Sequence, residues 1–241
     1  MKILRLGQSL CSSNNPTGFM NRYSILFDGV DDRVTTATTL PPGGACFSFW
    51  AKSSDTGQNK GVFGCGGTTN GAFHINWGGG FRPLLYLGTG RYQFWANIPA
   101  QDDGNWHHWV VWADFVDTRN CTLYVDGALI AEGSNQNTGS FDARGAITIG
   151  SDAATGGNSY TGNLDEFAIF NSELDSDQIT AIYNGGVPTD LTGMSGLIGY
   201  FRMGDPNGQA TYPYITDYSG GTKGTMINFT SAAAIVTDVP T

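Results

Sequence analysis

The stretch that most constrains how this chain can fold runs from Gly104 to Gly133, GNWHHWVVWADFVDTRNCTLYVDGALIAEG. Trp106 to Phe115 is a run rich in aromatic and β-branched residues without helical spacing. Thr122 to Val125 is a second, closed by Asp126-Gly127 before Ala128 to Ala131. Runs of this kind are strands. Asp-Gly supplies the positive φ angles that a two-residue hairpin turn needs, so two strands meet tightly here behind a longer partner. An antiparallel meander at the centre implies a domain built from sheets.

Composition agrees with that architecture. The chain has 241 residues, 35 of them glycine, with only 14% charged, which suits many short strands and tight turns in one large all-β domain. The formal net charge is −9, and no run of Lys or Arg occurs. Nucleic acid is therefore not expected as a partner, because neutralising phosphates needs a basic face. All but Glu132, Glu166 and Glu173 of the 21 acidic residues are aspartates, which favour turns, caps and calcium shells over helix surfaces.

Taken in order, residues 1–21 form an N-terminal arm with an apolar start at Ile3, Leu4 and Leu6. It reads either as a frayed tail or as an arm that docks onto a partner. No apolar run of signal-peptide or membrane-spanning length is present, so neither the usual secretory route nor membrane insertion is expected. Tyr23 to Asp28 and Val30 to Thr36 read as strands, and Pro41-Pro42-Gly43-Gly44 as a break. Cys46 to Ala51 has Phe47 and Phe49 on one face and Trp50 on the other. Three short strands come next around glycine-rich turns, at Ala72 to Trp77, Leu84 to Leu87 and Tyr92 to Ile98.

Leu164 to Phe170 alternates, with Leu164, Glu166, Ala168 and Phe170 on one face and Asp165, Phe167 and Ile169 on the other. One short helix is expected near residues 176–183. Asp175 or Ser176 caps it, Gln178 completes a capping box from Asp175, and Asn184-Gly185-Gly186 ends it. Cys11, Cys46, Cys65 and Cys121 lack zinc spacing; a Cys46–Cys65 bridge and buried reduced thiols are both open.

The ordered set of motifs resembles a laminin-G-like domain of the concanavalin A-like jelly-roll superfamily, of the kind seen in marine phage and bacterial proteins. It is carried by SILFDGVDDRV at Ser24 to Val34, FSFWAK at Phe47 to Lys52 and G-x-W-H-H at Gly104 to His108. LYVDG at Leu123 to Gly127, ITIG at Ile147 to Gly150 and GNLDEFAIFN at Gly162 to Asn171 complete it. The resemblance implies an all-β, antiparallel β-sandwich (jelly roll) over residues 22–186. Residues 187–241 are then a C-terminal extension, whose GLIGYFRMGD and ITDYSGGTKGTMINF resemble the opening strands of a second unit. They are expected to pack on the same sandwich or to pair with a neighbouring chain.

Chemistry is sparse. Retaining glycoside hydrolases need two carboxylates about 5 Å apart. In superfamily members of that class these sit in an E-x-D-x-x-E arrangement that this chain lacks, so no enzyme is expected. His107 and His108 are adjacent on a strand, point to opposite faces and read as structural, as does His74. The resemblance implies a structural calcium held by Asp28, Asp31 and Asp165; the alternative is turn chemistry and solvated acids. Trp77, Arg82, Tyr86, Tyr92 and Trp95 gather around glycine-rich turns, where aromatic faces stack on sugar rings and an Arg orients hydroxyls. The alternative for those aromatics is core or subunit contact. The expected function is a non-catalytic virion surface protein, a capsid decoration or fibre made in the host cytoplasm. Its expected partners are other virion proteins, copies of itself or host glycans. The alternative is a bacterial extracellular carbohydrate-binding or adhesion module.

Overall fold

The computed structural model describes residues 19–57, 60–65, 71–75, 83–87, 90–93, 101–117, 120–132, 145–152, 157–204 and 212–241, with backbone alone at 86–87 and 90–93. Among the described residues the strands begin with β1 (Ser24–Asp28), β2 (Arg33–Thr39) and β3 (Gly44–Lys52), followed by β4 (Gly61–Cys65), β5 (Ala72–His74), β6 (Leu84–Leu87) and β7 (Gly90–Gln93). Next come β8 (Trp106–Asp114), β9 (Thr122–Val125), β10 (Ala128–Glu132), β11 (Ala146–Ile149), β12 (Thr161–Phe170) and the helix α1 (Ser176–Tyr183). β13 (Leu197–Phe201), β14 (Tyr214–Ile215), β15 (Gly224–Ile227) and β16 (Ile235–Val236) complete the order.

These strands form two antiparallel sheets, the jelly-roll sandwich expected from the sequence. The first runs β10-β9-β8-β3-β12-β1-β16, with β13 also paired to β12; the second runs β14-β15-β2-β11-β4-β5-β6-β7. Asp126 and Gly127 take φ values of 51° and 75° and close the β9–β10 hairpin, as Asp-Gly requires. Because β13 pairs with β12, β15 with β2 and β16 with β1, the strands of the C-terminal stretch pair within the chain.

β3 is buried on both faces. Phe47 and Phe49 enter the sandwich, where Phe47 stacks on Phe63 at 4.0 Å and Phe49 meets Phe73, Trp109 and Phe167. Each ring fully removed from water contributes about 1.5–3 kcal/mol. The opposite face carries Cys46 and Trp50, and α1 lies over it, burying Ile179 and Ile182 with Cys46, Val110, Ala168, Phe170 and Tyr200. α1 holds its place through the capping box: Asp175 accepts from the Gln178 N–H at 2.8 Å, while Gln178 Oε1 accepts from the Asp175 N–H at 2.9 Å. Asn184 ends it in the left-handed region.

β12 departs from simple alternation. Asp165 pairs with Trp50 but Ala168 with Ser48, so β12 carries one extra residue, and Glu166 sits at φ 48°. This bulge reverses the inward–outward parity of the remaining strand residues. Leu164 consequently shares the sandwich interior with Phe167 and Ile169, while Ala168 and Phe170 face α1. A Cys46–Cys65 bridge is also excluded: Cys46, Cys65 and Cys121 are buried and form no disulfide, with Cys46 on the helix side and Cys65 in the sandwich interior. Cys11 lies outside the described residues, as do residues 1–18 of the arm.

Candidate functional site

The outer face of the first sheet carries a groove beside α1. β3 and β8 pair in a register that sets Trp50 opposite His108 and Lys52 opposite Trp106, so these four share one face. Tyr183, in the last turn of α1, closes over them, its ring stacked at 6.0 Å from Trp50 and 6.1 Å from His108. The hairpin turn approaches so closely that a Cβ on Gly127 would lie 2.9 Å from the Tyr183 ring. Glycine is needed there for space as well as for φ. The resulting cavity, of about 320 Å³, is lined by Trp50, Asn105, Trp106, Asp126, Tyr183 and Thr241 among others.

Asp126 is fixed at the rim from two sides. Its Oδ1 accepts the backbone N–H of His108 at 2.9 Å, and its Oδ2 lies 2.7 Å from Nδ1 of His107. Nε2 of His107 lies 3.3 Å from Oδ1 of Asp103, which also receives the Asn105 N–H at 2.8 Å. Burial opposes a charge on His107, but the hydrogen bonds and charges of Asp126 and Asp103 outweigh it and raise its pKa. His108, by contrast, is wholly buried against Ser48 and Trp50, and desolvation pushes it down to about 3. Opposite, Trp106 Nε1 donates to Asp238 Oδ1 at 3.0 Å, and Lys52 Nζ reaches Asp238 Oδ2 at 2.7 Å.

The structure brings Asp28 and Asp31 together and adds Asp32, each offering an oxygen within 4.8 Å of the others. Val30 donates its N–H to Asp28 Oδ1, the Asp28 N–H reaches Asp32 Oδ2, and Asn228 donates to Asp31 Oδ2. Burial, with the charges of Asp28 and Asp31 adding to it, raises the pKa of Asp32. Three hard oxygen donors in one turn fit a calcium ion, whose remaining ligands would be carbonyls and water.

Asp165 is placed apart from this trio. It lies on β12 at the bulge, where it accepts Asn21 Nδ2 at 2.8 Å and the Glu166 N–H at 2.8 Å. Burial, then the charge of Glu166, lifts its carboxyl well above the usual range. Beside it Arg202 Nε lies 3.2 Å from Glu166 Oε1, Tyr200 donates its hydroxyl to Glu166, and Arg202 donates to the Met20 carbonyl.

Trp77, Arg82 and Trp95 lie outside the described residues. Tyr86 pairs with Ala72 and Arg91, and Tyr92 with Leu85, at the β7 end of the second sheet, away from the groove. The residues alone do not assemble Trp50, Trp106, Asp126 and Tyr183 as a site. Their one accessible signal is Trp50 on the face opposite Phe47 and Phe49. His74, on β5, places Nε2 3.6 Å from Oδ2 of Asp152, and desolvation lowers it to about 4.

With sandwich, helix and groove defined, the chain is a lectin-like jelly roll. Residues 28–180 match a laminin-G family, and the chain belongs to the concanavalin A-like lectin/glucanases superfamily. No curated protein sequence matches it. Among solved structures it is similar to a Bacteroides ovatus protein assigned as a carbohydrate binding protein, with a TM-score of 0.67, 18% identity and 91% of this chain covered. The chain spans 61% of that protein's length. It is also similar to a heptameric SAP-like pentraxin from Limulus polyphemus, with a TM-score of 0.55, 17% identity and 85% and 95% of the two chains covered. The enzymatically active domain of tailspike protein 2 from bacteriophage CBA120 matches at a TM-score of 0.51 and 14% identity, covering 74% and 29%. Among the described residues no helix is long and apolar enough to cross a membrane.

Proposed function

We propose that this chain is a non-catalytic glycan-binding protein of a virion surface, a capsid decoration or fibre, and that the groove beside α1 receives the saccharide. The observation that carries the glycan reading is the joining of Trp50, Trp106 and Tyr183 with Asp126 and Asn105 around one cavity of about 320 Å³. Ring faces meet the C–H face of a pyranose, and a few fixed polar groups set its orientation. Hydrolysis by a carboxylate pair would need a second acid facing the bond. Among the described residues Asp126 is the one carboxylate side chain lining the groove, and the adjacent Asp165 and Glu166 are buried.

The phage context rests on the sequence resemblance and on the tailspike domain that shares the fold. The alternative is a bacterial extracellular carbohydrate-binding or adhesion module, which the Bacteroides ovatus protein favours. Asp28 and Asp31, with Asp32, are proposed to hold a structural calcium. Trp77, Arg82, Tyr86, Tyr92 and Trp95 are proposed as a second contact region for glycan. The deciding experiment applies the folded protein to a broad glycan panel, with calcium and with excess chelator. Saturable binding supports the reading. Its absence in both conditions, from folded protein, sinks it.

A further inference from the structure

The groove is chemically one-sided. Among the described residues Asp126 is the acidic side chain that lines it, and two further carboxylates support the rim, Asp103 through Asn105 and Asp238 through Trp106. The nearby basic side chains are already engaged. Lys52 is held at 2.7 Å by Asp238, and His107 is held between Asp126 and Asp103. Among the described residues no Lys or Arg lines the cavity, and the whole chain has a formal charge of −9. A cleft lined by one sign of charge concentrates the opposite sign. Asp126 is also held in place before any ligand arrives, because each of its oxygens already has one protein partner. A carboxylate accepts about four hydrogen bonds, so acceptor positions are left for a ligand.

We infer that the groove selects saccharides bearing a free amine, of the 2-amino-2-deoxyhexose type, over carboxylated or sulfated ones. The ring lies against Trp106 and Tyr183, and the ammonium group donates to Asp126. A uronic or sulfated sugar would instead bring an anion against three carboxylates, with no Lys or Arg among the described residues that line the groove to receive it. This inference rests on the groove being the glycan site, and deepens that reading.

The test measures affinities of the full chain at low ionic strength for four probes. They are a β-1,4-glucosamine hexamer, its N-acetylated counterpart, an oligogalacturonate of equal length and, as an amine without a sugar ring, spermidine. The glucosamine hexamer is expected to bind about tenfold more tightly than the N-acetylated one, since a charge-assisted hydrogen bond is roughly twice as strong as a neutral one. The oligogalacturonate and spermidine are expected to bind weakest. Asp126→Asn, which suits the left-handed turn position, is expected to bring the first two affinities to within about twofold of each other. Equal affinity for the three oligosaccharides, a preference for the uronate, spermidine binding as tight as the hexamer, or a preference that survives Asp126→Asn overturns the inference alone. Failure of folded protein to bind any of the three oligosaccharides overturns the glycan reading and the inference with it.

Discussion

Arg202 holds Nε 3.2 Å from Oε1 of Glu166 at the β12 bulge, with 4% and 2% of the two side chains exposed. A buried ion pair adds little to stability beyond what packing would give, but removing one partner strands the other charge in a medium that cannot solvate it. Arg202→Met is therefore expected to cost about 3–5 kcal/mol, and Arg202→Met with Glu166→Gln to recover most of that loss. Urea unfolding of the two variants decides it. Equal destabilisation of single and double variants would contradict the ion-pair account.

Asp165, on the other side of the same bulge, makes the stability depend on pH. Burial, then Glu166, raises its folded pKa above the unfolded value. The stability it contributes is thus complete below the ordinary aspartate pKa of about 3.9 and is lost as pH rises through the raised folded value. Asp165→Asn is expected to remove that slope, since an amide in place of the carboxyl does not titrate. Urea midpoints from pH 4 to pH 8 provide the comparison. An unchanged slope in the variant would assign the effect elsewhere.

The three histidines should separate cleanly in a titration followed by NMR. His107, raised by Asp126 and Asp103 against the opposing effect of burial, gains its proton above the ordinary histidine value. His74 and His108 stay neutral down to about 4 and about 3, because burial disfavours their charged forms. The stability due to His107 is present below the unfolded pKa, about 6.5, and is lost as pH rises through its folded value. A single imidazole titrating above that value is the expected spectrum, and His107→Gln should abolish it.

Calcium is expected to raise the melting temperature, and chelator to return it. An ion at a hundred times its dissociation constant stabilises the folded state by about 2.7 kcal/mol. Asp31→Asn, which removes a ligand charge from an exposed position of the trio, should suppress most of the shift. Melting curves of parent and variant that respond alike to calcium would place the ion elsewhere.

Trp106 forms the half-buried wall of the groove, and its loss should be felt by ligand more than by fold. Trp106→Ala is expected to weaken glycan binding by about 1–2 kcal/mol, as for aromatic anchors at binding surfaces. The melting temperature checks that the protein is intact. An affinity equal to the parent's would move the binding surface away from this face.

How much of this molecule can be read from its residues depends on the range over which those residues act. Asp126-Gly127 and the Asp175–Gln178 pair specify their turn and cap within four positions, and both form as written. Alternation in β3 separates Phe47 and Phe49 from Trp50 for the same reason. The β12 bulge leaves no periodic trace, because one inserted residue reverses parity without altering composition. Alternation alone therefore puts Leu164 with Ala168 instead of with Phe167. The groove is harder still to foresee, since residues 50, 106, 126 and 183 become neighbours only once β3, β8 and the hairpin are laid side by side and α1 folds over them.

The pairing of β16 with β1 has a mechanical consequence. Ser24 lies opposite Val236 and Ile25 opposite Ile235, so the two strands bring the incoming and outgoing chain to the same end of one ladder. A load drawing those ends apart would first pull Asp238 from Ser24, Lys52 and Trp106, and then open the ladder rung by rung instead of shearing it. Tension between those two ends would thus reach the groove's tryptophan before it reached the sandwich core.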